Sequence, residues 1–212
     1  MKWSYGVTTV EARRDSTLPR TLDSLARAGF DTPRLFVDRG LLAFGNWALA
    51  AWELYIREPR ADFYAIFQDD ILACRGLRGY LERSSPKAGY LNLYLIEDQP
   101  VPTLGWFHAL RHGKGAQGLV FSNNALCRLL SQSEFVLHPR AVRSSTSNID
   151  GTVFRAMHNA GLKEWAHNPS LLQHINEGST IVSTRGDHNH TAPTFPGEEV
   201  DINELCSNSH TV

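Results

Sequence analysis

A chain of 212 residues with 42% hydrophobic content is long enough to fill one domain core. Its net charge of −1 excludes the global basic character that draws a protein to nucleic acid or to an anionic membrane. Three scattered cysteines (Cys74, Cys127 and Cys206) argue against a disulfide framework or a zinc site and fit a reducing compartment. Lysine occurs only at Lys2, Lys87, Lys114 and Lys163, so the basic residues are mostly arginine, the better bidentate partner for phosphate. No apolar run is long enough to span a bilayer, and residues 1–6 lack the apolar core of a signal peptide. A soluble cytoplasmic protein, with no membrane and no obligate protein partner, is expected.

In chain order, Tyr5 to Val10 reads as a first strand, followed by a charged loop from Glu11 to Asp15 that carries Arg13 and Arg14. Ser16 or Thr17 then caps a helix with Leu18, Leu22, Leu25 and Ala26 on one face, Pro19 in its first turn and Gly29 as its stop. Arg34 to Asp38 is a second strand, which completes a βαβ unit with a right-handed crossover. Gly45 and Asn46 precede a helix from Trp47 to Arg57 whose apolar residues recur at helical spacing.

The chain then reaches Phe63-Tyr64-Ala65-Ile66-Phe67-Gln68-Asp69-Asp70-Ile71, an unbroken apolar run that delivers two carboxylates. Such a run predicts a strand buried on both faces in the middle of a parallel sheet. Ligands of open α/β sheets bind just past the carboxyl ends of the strands, which is where Asp69 and Asp70 fall. Thr8, Thr9 and Asp38 would line the same rim. Adjacent carboxylates there call for a positive partner, and a divalent cation shared with substrate phosphates is the natural one. Because side chains alternate along a strand, Asp70 is assigned to the metal and Asp69, facing the other way, to a sugar hydroxyl. The plainer alternative is that the pair caps a following helix.

Beyond this point the sequence predicts a helix over Leu77 to Arg83, a strand over Gly89 to Ile96, and a Gly-rich loop from Glu97 to Gly118 that carries Trp106 and Phe107. Leu119 to Phe121 resumes the sheet and Asn124 to Ser131 is helical. Phe135 to Asn148 is polar and basic, with His138, Arg140 and Arg143; Asp150 opens a helix that runs through Met157 and stops at Gly161. The tail holds His188 and His190 and has no periodicity. Residues 186–212 are therefore expected to be loosely packed against a domain spanning 1–185, an α/β fold with a mostly parallel sheet flanked by helices.

Gln68-Asp69-Asp70 after a buried strand resembles the short acidic motif of the GT-A glycosyltransferases, enzymes that use nucleotide-sugar donors. The likeness extends to Gly6-Val7-Thr8-Thr9-Val10, to Gly45-Asn46-Trp47, and to Asn168-Pro169-Ser170-Leu171-Leu172-Gln173-His174, and covers residues 4 to about 182. The resemblance implies that Asp70 binds Mn²⁺ or Mg²⁺, that His174 or the competing His188 completes the metal shell, and that Asp69 contacts the ribose. It further implies that Thr8, Thr9, Asp38 and Asn46 belong to the donor site and that Asp150 deprotonates the acceptor hydroxyl in an inverting transfer. Gln68 departs from the acid usual at the first motif position; its amide could still bond the ribose. The donor implied is a nucleotide-diphosphate sugar, a UDP-sugar foremost. Arg13 or Arg14 would grip its diphosphate. An ordinary helix cap is the plain alternative for Asp150, and a satisfied buried imidazole is the one for His174.

Trp106, Phe107, Arg140 and Arg143 are expected on the acceptor side. Their mixture of aromatics and cations suits either a glycan or small molecule or, as the sharper reading, a hydroxymethylated pyrimidine in DNA, as for phage-type DNA glucosylating enzymes. Rival readings are a nucleotidyltransferase, which lacks here a Gly-rich phosphate loop after the first strand, and a catalytically inactive nucleotide-sugar-binding module. A dehalogenase-type phosphatase would need its nucleophilic Asp far earlier in the chain.

Overall fold

Residues 1–86, 88–96, 104–109, 115–136, 148–175 and 191–207 are described in the computed structural model. Strand β1 (Trp3–Thr9) leads through a single 3₁₀ turn into helix α1 (Thr17–Arg27), which buries Leu18 and Leu25. Gly29, at φ +95°, ends that excursion in the left-handed region that favours glycine. Strand β2 (Arg34–Val37) pairs parallel to β1 and completes the βαβ unit. Helix α2 (Leu42–Arg57) begins earlier than its apolar spacing suggests, because Asp38 Oδ1 accepts from the backbone N–H groups of Gly40 and Leu41 and closes the preceding turn. Asn46 consequently lies inside the helix.

Strand β3 (Phe63–Gln68) is buried on both faces, which is why its sequence shows no alternation. Tyr64 and Ile66 pack with Trp47 and Phe121, while Ala65 and Phe67 pack on the opposite face with Trp3 and Phe30. After the acidic pair come strand β4 (Ile71–Ala73), helix α3 (Leu77–Ser84), strand β5 (Tyr90–Asn92), strand β6 (Gly105–His108), strand β7 (Gly118–Ser122) and helix α4 (Asn123–Leu130). Helix α5 (Ile149–Asn159), strand β8 (Glu164–Asn168), strand β9 (Leu172–His174) and helix α6 (Ile202–Ser207) complete the order.

The main sheet runs β2-β1-β3-β7-β5-β8-β6. Its pairings set β1, β2, β3, β5 and β8 in one direction and only β6 and β7 against them, a mostly parallel sheet. Helices α2, α4 and α5 cover one face, while α1, α3 and the small antiparallel β4–β9 sheet cover the other. Thr21 and Ser24 rivet α1 to this small sheet: Thr21 Oγ1 donates to Asp69 O and accepts from Ile71 N, and Ser24 Oγ accepts from Ala73 N. Both side chains are fully buried, so these bonds fix where the acidic turn sits.

Two expectations change here. Of the tail expected to be loose over 186–212, residues 191–207 are packed, and 186–190 and 208–212 lie outside the described residues. Ala192 and Ile202 are buried, Gln173 exchanges side-chain hydrogen bonds with Ala192 N and O, and Arg27 and Arg75 pair with Glu198 and Asp201. The Gly-rich segment, read as a loop, contains β6, which is antiparallel to β8 at the sheet edge. Strand register turns Trp106 toward the domain, with its ring centroid 4.8 Å from that of His167 and 6.4 Å from that of Tyr80.

His167 is 1% exposed. Its Nδ1–H donates to Pro169 O at 2.7 Å, so the neutral ring accepts from Tyr80 Oη at Nε2, 2.6 Å away. Burial holds its pKa down at about 4, against a weaker opposing pull from the Pro169 carbonyl. An unfolded histidine titrates near 6.5, so the unfolded chain binds the extra proton first. Stability should therefore fall as pH drops from about 6.5 to about 4, by about 3 kcal/mol, and level off below that. Chemical denaturation across this range checks the slope, which His167→Gln should flatten.

Candidate functional site

Past the end of β3 the two carboxylates part. Asp69 turns toward β1, where its Oδ2 accepts from Thr9 Oγ1 at 2.5 Å and from Val10 N at 3.3 Å. Burial, with help from the Asp70 charge, pushes the Asp69 pKa up; the Thr9 hydroxyl and the Val10 amide pull against this. Asp70 turns toward β9. Its Oδ2 lies 3.2 Å from His174 Nε2 and 3.7 Å from an Arg13 guanidinium nitrogen. Its Oδ1 is buried with no hydrogen-bond partner among the described residues.

That orphaned oxygen is the feature an ordinary capping carboxylate would not show. Leaving a buried charged acceptor unmade costs roughly 1–3 kcal/mol or more, and such an atom suits contact with a cation or ligand. A carboxylate oxygen beside an imidazole nitrogen fits a divalent ion, and the nitrogen suits Mn²⁺ better than Mg²⁺. Among the described residues no three or more His, Cys, Asp or Glu side chains gather as a cation site. His174 reaches Asp70 because β9 pairs with β4 in a register that sets His174 opposite Ile71, and Ile175 N donates to Asp70 O. His188 lies outside the described residues.

The two neighbouring arginines separate cleanly. Arg13 is 6% exposed, donates to Thr17 Oγ1 and points at Asp70; Arg14 is exposed and paired with Glu11. Of the two, Arg13 is the one that lies beside Asp70. Thr8 donates its hydroxyl to Phe67 O and so ties β1 to β3. Asp38 is occupied by the turn it closes, and buried Asn46 donates to Phe36 O, which fastens α2 to the end of β2. Gln68 donates to Ala116 O and fixes the segment leading into β7.

Asp150 sits in the first turn of α5 rather than at its cap, which is Asn148. Its Oδ2 accepts from Gly115 N and its Oδ1 from Gly151 N, each at 2.8 Å. The helix N-terminus adds a favourable field for the ionised carboxylate. Gly115 has φ +87°, and a Cβ there would lie 2.7 Å from a ring carbon of Tyr94. The Tyr94 ring therefore lies against the Gly115 backbone. Burial first, and the Asp70 carboxylate second, push the Tyr94 hydroxyl above its ordinary range. Tyr94 thus links the surroundings of the two acidic poles.

On the acceptor side, Arg140 and Arg143 lie outside the described residues, as do Arg111 and Lys114. Trp106 is partly buried and packs against Tyr80 and His167, because β6 joins the sheet. Phe107, next along the strand, is half-buried.

No family model matches the chain, and comparison with curated proteins finds no match. Solved structures do match. The catalytic domain of Drosophila beta1,4galactosyltransferase 7, in complex with xylobiose, is 12% identical with a TM-score of 0.56, over 90% of this chain and 78% of that one. A glycosyltransferase involved in the glycosylation of the major capsid of PBCV-1 is 9% identical with a TM-score of 0.53, over 82% and 96%. The chain has a GT-A-like glycosyltransferase fold. Identities this low speak for the fold alone. Sequence reasoning missed Tyr94, Asn92 and Glu164, all buried in or beside β5 and β8. The available signal was Asn92 closing an otherwise apolar strand; Glu164 stands in a strand that also carries His167 and Asn168 and gave none.

Proposed function

We propose that the protein is a metal-dependent glycosyltransferase that moves a sugar from a nucleotide-diphosphate sugar to an acceptor hydroxyl with inversion. The observation that carries this is Asp70: a buried carboxylate with an unmet oxygen, flanked by His174 and Arg13, at the carboxyl rim of a GT-A-like sheet. Asp70 and His174 would hold Mn²⁺ or Mg²⁺, whose role when bound is to neutralise charge building on the leaving diphosphate. Arg13 adds a guanidinium at the same pole and grips diphosphate oxygens. Asp69, through Thr9 and Val10, keeps the β1 end in place as one wall of the donor cleft. At the other pole Asp150 accepts the proton of the acceptor hydroxyl. The acceptor oxygen bonds to the anomeric carbon as the bond to the diphosphate oxygen breaks, and the configuration inverts.

A UDP-sugar is the first donor to try. The acceptor proposed is a glycan or small-molecule hydroxyl, since the aromatic half of the DNA reading weakens once Trp106 is packed inward. The test is a panel of UDP-, GDP- and dTDP-sugars with Mn²⁺, read by thermal shift and by release of nucleoside diphosphate. One donor should stabilise the fold only with metal, by about 2.7 kcal/mol at a hundred times its Kd, and should be slowly hydrolysed. Binding without any turnover would make the chain a binding module. Pyrophosphate release from a nucleoside triphosphate would make it a nucleotidyltransferase.

A further inference from the structure

Beneath Gly115 lies a buried polar chain that no step above uses. Glu164, at the start of β8, is 4% exposed, and both its oxygens are engaged: Oε2 accepts from Tyr90 Oη at 2.6 Å and Oε1 from Asn92 Nδ2 at 3.1 Å. Asn92 is itself 2% exposed. Its second Nδ2 bond goes to Gly115 O at 3.1 Å, and its Oδ1 accepts from Tyr94 N at 3.1 Å. The amide orientation is thereby fixed, because a flipped Asn92 would lose both acceptors and face Tyr94 N with a donor.

Gly115 is held from below through its carbonyl and offers its N–H to Asp150. Its left-handed backbone, and the Tyr94 ring against it, leave no room for a side chain to do this holding instead. Burying a carboxylate beside an amide is costly unless both are hydrogen-bonded, and here the bonds that satisfy them run on to the Gly115 carbonyl.

We infer that Asn92, anchored by Glu164, is a positioning residue that aims the Gly115 amide at Asp150 and so holds that carboxylate toward the acceptor oxygen. The inference rests on the reading of Asp150 as the base. A bond that fixes the base within reach of its proton acts on the chemical step, not on donor or metal binding, because Asn92 lies under the acceptor pole.

The test uses Mn²⁺-dependent hydrolysis of whichever UDP-sugar gives the largest thermal stabilisation, with water as the acceptor that Asp150 activates. Asn92→Ser and Glu164→Gln should each lower kcat about tenfold or more. Donor KM and the Mn²⁺ affinity measured by calorimetry should stay within about twofold, since neither depends on the acceptor pole. In an Asp150→Asn background, adding Asn92→Ser should cost nothing further, since the group it positions is gone. If Asn92→Ser does not fold, Glu164→Gln carries the same double-mutant comparison. An undiminished loss in the Asp150→Asn background, or a loss confined to KM, would overturn the inference and make the network structural. Wild-type rates for Asn92→Ser and Glu164→Gln beside a slow Asp150→Asn would sink the inference alone. A wild-type rate for Asp150→Asn would sink the base reading, and the inference with it.

Discussion

Asp70→Asn should abolish metal-dependent donor binding and lower turnover by about 10²–10³ or more, while leaving the fold intact. Asparagine keeps the shape of the side chain but removes the charge that would hold a hard cation, and the donor beside it among the described residues is the His174 imidazole. The metal-free variant should be no less stable than the metal-free wild type. Asp70 is buried beside Asp69, whose pKa its charge helps to raise, so neutralising it relieves repulsion between two desolvated acids. Among the described residues it faces an Arg13 nitrogen at 3.7 Å and a His174 nitrogen at 3.2 Å. Calorimetric titration with Mn²⁺ and thermal unfolding in chelator check both halves. Retained Mn²⁺ binding in the variant would remove Asp70 from the metal site; a large loss of metal-free stability would make it a structural residue.

Parts of this arrangement were legible in the chain because they obey local rules. The βαβ opening announces itself through an amphipathic α1 and the Gly29 stop, although Ser16 makes no side-chain cap bond and donates to Arg13 O instead, and β3 announces itself through an apolar run with two buried faces. The rim position of Asp69 and Asp70 follows from that strand alone. What surrounds them does not. Strands β4 and β9 have three residues each, too short for periodicity, and only their mutual pairing brings His174 to Asp70. Arg13 and Arg14 are indistinguishable in sequence; one 3₁₀ turn buries the first and exposes the second. Trp106 falls in a segment whose glycines read as a loop, and its inward packing depends on a register with β8, about sixty residues away. Residues 191–207 lack a pattern because side-chain to backbone bonds, such as those of Gln173 with Ala192, hold them in place of an amphipathic face.

Asp150→Asn should reduce transfer by about 10²–10⁴, the range that a positioned general base contributes, with Mn²⁺ affinity and donor-induced stabilisation unchanged. The separation of effects follows from position. Asp150 belongs to the first turn of α5, on the face of the sheet opposite the β4–β9 pair that carries His174, and its carboxylate is held by the amides of Gly115 and Gly151. Asparagine can keep an oxygen on the Gly115 amide, so the helix start and the Gly115 turn should survive, and unfolding should shift by less than about 1 kcal/mol. What it cannot do is take up the acceptor proton. If the same carboxylate were a nucleophile, the sugar would be transferred twice and keep its configuration. NMR assignment of the anomeric centre in the wild-type product therefore decides the point: inversion places Asp150 as base in a single displacement. Retention, or an Asp150→Asn variant that transfers at the wild-type rate, would leave Asp150 as a carboxylate that only closes the Gly115 turn over α5.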